Sequence, residues 1–134
     1  MHTCEFFKIH ELVPPHIYED RGELAWELMD ERLIITIDQL RKDFGPMTIN
    51  NYFWGGGRKE SGLRDVECEY FRPYSQHSFG RAADCLFEDV ETESVRKAIL
   101  DNPNRYPFIN AVELGTSWLH IDVRNTDRIK TFYP

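Results

Sequence analysis

The chain has 134 residues, 41% of them hydrophobic and 13% aromatic, which suits one domain built around one core. Its formal net charge of −7 argues against nucleic acid or an anionic membrane as a partner recognised through an overall basic field. No apolar run approaches the roughly 20 residues needed to span a bilayer.

Residues 1–16 read as an irregular lead-in, with Pro14-Pro15 stopping any regular element. The first residues, Met1 to Lys8, lack a basic stretch followed by an apolar one, so no secretory leader is expected and accumulation in the cytoplasm of the producing cell is. A segment over about 17–30, containing Trp26, Leu28 and Met29, is compatible with helix. From Glu31 to Phe44 the residues Leu33, Ile34, Ile37, Leu40 and Phe44 fall close to one helical face, with Asp38, Gln39, Arg41 and Lys42 opposite. Gly45-Pro46 ends that helix.

Met47 to Phe53 carries strand-forming residues and is broken by Gly55-Gly56-Gly57. No Lys-Ser/Thr follows in P-loop register, so the glycines predict a turn rather than a phosphate cradle. Residues 55–76 form a long loop, a feature that tends to be functional in a compact domain. Ala82 to Phe87 predicts a short buried strand, with Cys85 as a small core residue. A helix opens near Thr92, with Val95, Ala98 and Ile99 on one face, and ends at Asn102-Pro103-Asn104. Ala111–Leu114 and Trp118–Val123 predict two strands joined by a three-residue hairpin loop, Gly115-Thr116-Ser117. Residues 124–134 form a C-terminal extension. The expected architecture is a single α+β domain over 1–134, helices packed on a small antiparallel sheet, and a monomer.

Two stretches carry chemistry. The first runs Ser75 to Asp84 and reads S-x-H-x-x-G-x-A-x-D. The second contains Glu113 and then Trp118, His120 and Asp122 as W-x-H-x-D. On a strand, Leu119, Ile121 and Val123 share one face, while Trp118, His120 and Asp122 share the other. A buried strand carrying His and Asp on one face needs a partner for them, either a mutual hydrogen bond or a metal. Two imidazoles, His77 and His120, and one carboxylate, Asp84, make the ligand set of a catalytic zinc site with a position left open for water. Glu113 is placed to act as the base and Arg64 to stabilise an oxyanion or grip a substrate carboxylate. Asp122 is an alternative base, or a residue that orients an imidazole. Gly80 would let the backbone pass beneath the metal.

The two blocks, with Ser61-Gly62-Leu63-Arg64 as an S-G-x-R element, resemble the zinc D-Ala-D-Ala carboxypeptidase and L,D-/D,D-peptidase family, which includes small phage endolysins and shares its fold with the hedgehog signalling domain. The resemblance runs from about Leu33 to Val123. It implies Zn²⁺ held by His77, Asp84 and His120, with Glu113 and Arg64 as catalytic residues. It also implies a hedgehog/DD-peptidase-like fold and, as substrate, the stem peptide of bacterial peptidoglycan. Several members place the base three residues before the last histidine, whereas Glu113 lies seven before His120. By the same resemblance the chain is expected to wait in the cytoplasm as a phage or prophage endolysin and to act on the wall after release.

The remaining residues take plainer readings. His2, His10 and His16 read as structural or exposed, and Cys4, Cys68 and Cys85 as reduced thiols, being odd in number without a C-x-x-C pair. Trp118 and Tyr74 read as cleft walls or core, and Ser75 as a turn or supporting hydroxyl. Arg58, Arg72 and Arg81 are rivals to Arg64. The alternative function is a non-enzymatic zinc module of the same fold, serving as a phage structural or binding protein. A zinc nucleobase deaminase is disfavoured because its H-x-E and P-C-x-x-C pattern is absent.

Overall fold

The computed structural model describes residues 1–127 and 129–134. Three helices, α1 (Pro15–Arg21), α2 (Glu31–Phe44) and α3 (Thr92–Asp101), pack with five strands, β1 (Met47–Thr48), β2 (Ala82–Phe87), β3 (Ala111–Glu113), β4 (Leu119–Asp122) and β5 (Lys130–Phe132). The strands lie in the order β1-β2-β4-β3-β5. The expected α+β class holds. The pairings are antiparallel from β1 through to β3, and β5 then adds to β3 in parallel, which makes the sheet mixed.

Helix α2 shows why its limits were readable. Asp30 caps it, its side chain accepting the Arg32 N–H at 2.9 Å. Leu33, Ile34, Ile37 and Leu40 are completely buried, and the chain leaves the helix at Gly45 with a positive φ. Helix α3 buries Val95 and Ile99 in the same way. On the sheet, Ala83, Cys85, Val112, Leu119 and Ile121 join these helix residues in one core cluster. Alternation then sends Asp84, His120 and Asp122 to the opposite face.

Several local expectations are corrected. Pro14-Pro15 starts a helix rather than stopping one, because Pro15 occupies the first helical turn of α1, where a missing N–H costs nothing. The 17–30 segment divides at Gly22 into α1 and a 3₁₀ stretch, Gly22–Leu28. The Met47–Phe53 strand is only two residues long, and Tyr52–Trp54 form a 3₁₀ turn. The β3–β4 connection spans 114–118, longer than the three-residue loop expected.

Candidate metal centre

Strand register assembles most of the site. Asp84 on β2 pairs directly with His120 on β4, and residues so opposed point to one face within reach of each other. On the other side of β4, Ala111 pairs with Asp122 and Val112 with Ile121. Continuing that register sets Glu113 opposite His120. Glu113 in turn pairs with Phe132 on β5. Asp84, His120, Glu113 and Phe132 therefore form one row across four strands. The seven-residue separation of Glu113 from His120 is what this hairpin register requires.

His77 reaches the row from outside the sheet, on a 3₁₀ turn over Gln76–Phe79. The Ser75 hydroxyl caps that turn, accepting the His77 N–H at 3.2 Å, and Gly80 ends it with φ 67°. A Cβ on Gly80 would lie 2.1 Å from the Leu28 carbonyl oxygen. Glycine is thus required by the close pass over Leu28 and by its left-handed backbone. The Ser61–Arg64 stretch runs between the His77 turn and β2 and bonds to both. The Ser61 carbonyl accepts the Asp84 N–H at 2.7 Å and the His77 carbonyl accepts the Arg64 N–H at 3.0 Å. Gly62 lies so close to the Leu12 carbonyl, 2.2 Å from where a Cβ would stand, that no side chain fits.

The ring nitrogens are sorted by their partners. His77 donates Nδ1–H to the Gly62 carbonyl at 2.7 Å, which turns Nε2 toward Asp84 Oδ1, 3.4 Å away. His120 places Nε2 2.8 Å from Asp122 Oδ2 and Nδ1 2.9 Å from Asp84 Oδ1. His77, Asp84 and His120 are all buried and offer three ligand atoms within 4.8 Å of one another. Each imidazole has its outward nitrogen held by a carbonyl or carboxylate, the usual support for a metal-binding histidine. The donor set of two imidazoles and one carboxylate fits a divalent cation.

Asp122 is placed against the His120 ring, 2.8 Å from its Nε2. It is fully buried, binds His120, and accepts both Arg124 Nε and a terminal guanidinium nitrogen, at 2.7 and 2.6 Å. Burial alone would raise its pKa, but Arg124 and His120 outweigh this and hold it low. Asp84 behaves likewise: burial opposes ionisation, yet hydrogen bonds from His120 and His77 hold its carboxyl well below the usual range. Burial would depress His120, but Asp122 and Asp84 push its imidazole up to about 9. A cation at Nδ1 competes with that proton.

A cleft of about 830 Å³ opens over the row. Glu113, Arg64, Tyr74 and Trp118 line it together with the three candidate ligands. Arg64 donates to Asp84 Oδ2 at 3.1 Å and to the Glu60 carbonyl at 2.6 Å, so its guanidinium braces a candidate ligand. Of its rivals, Arg58 lines the cleft, while Arg81 lies over the Phe79 ring and Arg72 bonds the Phe71 carbonyl.

Sequence reasoning missed two supports. Asn50 is buried, accepts the Ser61 N–H at 2.9 Å and donates to the Val13 carbonyl at 3.2 Å, fixing the loop at its start. Arg96 on α3 is 2% exposed. It pairs with Glu93 and donates to the carbonyls of Glu113, Thr116 and Trp118 at 3.0, 3.0 and 3.1 Å. Its only signal in the sequence was its place next to Val95 on an otherwise amphipathic helix. Comparison with known proteins returns no matching family model, no matching curated protein and no matching solved structure.

Proposed function

We propose that the chain is a zinc-dependent peptidase of the hedgehog/DD-peptidase-like fold that hydrolyses amide bonds in the stem peptide of bacterial peptidoglycan, in the manner of a phage endolysin or D,D-carboxypeptidase. The observation that carries the reading is the meeting of His77, Asp84 and His120 at the floor of a cleft with Glu113 in the same cross-strand row. The substrate class rests on the motif resemblance.

His77 Nε2, Asp84 and His120 Nδ1 would hold Zn²⁺, which would supply Lewis acidity toward water and an amide carbonyl. The protein's residues do the rest. Glu113 takes the proton of the attacking water and returns it to the leaving amine. Arg64, fixed by Asp84 and Glu60, sets positive charge at the cleft wall where a substrate oxygen gains negative charge. Tyr74 and Trp118 offer apolar faces to the peptide. Asp122 keeps His120 in its ligating orientation.

The test is mass spectrometry of defined muropeptides incubated with zinc-loaded protein. Cleavage is expected, with loss on adding a chelator, and Glu113→Ala should lose cleavage while still binding zinc. Metal-loaded protein that cuts no muropeptide would instead favour a non-enzymatic zinc module.

A further inference from the structure

A second group of donors lies away from the cleft, where the long loop meets the first helix. His16, near the start of α1, places Nε2 2.8 Å from both carboxylate oxygens of Asp65. Glu67 Oε2 lies 3.6 Å from the same nitrogen. The Cys68 thiol points at Asp65 Oδ1, 3.5 Å away. His16, Asp65 and Cys68 thus offer a nitrogen, an oxygen and a sulfur within 4.8 Å of one another. The loop is built to present them: the Asp65 carboxylate accepts the Glu67 N–H and the Asp65 carbonyl accepts the Cys68 N–H, so a single turn carries three donors.

The charges do not balance. One imidazole nitrogen faces three carboxylate oxygens, and among the described residues no lysine or arginine forms an ion pair with Asp65 or Glu67. A single ring proton satisfies one such oxygen well. A divalent cation in its place satisfies several at once and takes the sulfur too.

We propose that His16, Asp65 and Cys68, with Glu67 at the rim, form a second, structural site for a divalent cation of the zinc type. Thiolate and imidazole together select against Ca²⁺ and Mg²⁺, which take oxygen ligands. The site pins residues 65–68 to α1. Beyond Leu63, which is buried in the core, this loop has little apolar anchorage, since Val66 and Tyr70 are exposed. It also carries Gly62 and Arg64, which hold His77 and Asp84. The cation would therefore stiffen the loop that shapes the cleft. The proposal is independent of the peptidase reading and revises the plain readings of His16 and Cys68.

Cobalt(II) titration under reducing conditions tests it, because the cleft site contains no sulfur and a thiolate-to-cobalt charge-transfer band can arise only from a cysteine ligand. The intact chain should bind two equivalents and show the band. Cys68→Ser should bind one equivalent and lose the band, and Cys4→Ser should keep it. In the unaltered chain, Zn²⁺ should slow carboxymethylation of Cys68 about tenfold and leave Cys4 unaffected, read by peptide mass mapping. Absence of the band from the intact chain, its survival in Cys68→Ser, or unprotected Cys68 in saturating Zn²⁺ would overturn the proposal.

Discussion

His120 touches Asp84 through one ring nitrogen and Asp122 through the other, and Asp122 is itself gripped by Arg124. Metal affinity at such a site depends on the outer carboxylate as well as on the ligands, because that carboxylate sets ring orientation and basicity. Asp122→Ala should therefore weaken zinc binding about 10- to 100-fold by chelator competition, while circular dichroism stays unchanged. Arg124 is partly exposed, so water is expected to replace the lost carboxylate at its guanidinium. Unchanged affinity would mean that Asp122 does not orient the ring. Asp122 was legible as either a base or an orienting group, since alternation alone puts it beside His120. Its burial and its bond to Arg124 favour the orienting reading.

Among the elements, α3 reaches the site through Arg96, which holds the last carbonyl of β3 and two of the connection that follows it. Arg96→Lys retains the charge but not the planar fork, so it leaves buried carbonyls unpaired. Urea unfolding should register a loss of roughly 2–4 kcal/mol. Helix α2 is tied to the 103–106 turn by Asp43, which accepts from Arg105 and from the Tyr106 hydroxyl. The Arg105 hydrogen bond outweighs desolvation and lowers the Asp43 pKa. A carboxyl depressed in the folded state stabilises above its unfolded pKa and loses that contribution as pH falls through the folded value. Asp43→Asn should thus lower Tm at pH 7, and the gap to the parent should close as pH drops below about 4.

The elements also show where a sequence speaks and where it is silent. The apolar stripe of α2 with Gly45 after it, and the chain of buried residues in β2, are local patterns and were readable. The β5 pairing was not, because Lys130–Phe132 is three residues long and mostly exposed, with no period to read. Arg96 escaped because a charged residue on an amphipathic helix normally faces solvent, and its acceptors lie 17 to 22 residues away.

At the scale of the molecule, the core and the site occupy opposite faces of one sheet. The aliphatic residues of β2 and β4 pack on the helices, and the alternate residues carry Asp84, His120 and Asp122. The same antiparallel register that builds the core also brings the two motifs together across the sheet, and the 3₁₀ turn over Gln76–Phe79, held by the Ser61–Arg64 loop, adds the histidine that the sheet itself does not carry. The net charge of −7 offers no general attraction to an anionic partner, so under the proposed reading the substrate would have to be recognised locally in the cleft. If His77, Asp84 and His120 bind one cation together, anomalous diffraction from zinc-soaked crystals at the zinc absorption edge will locate it. A peak is expected about 2.0–2.2 Å from His77 Nε2, His120 Nδ1 and an Asp84 carboxylate oxygen. A map with no peak between those three atoms, under conditions where zinc saturates the protein, would contradict joint binding.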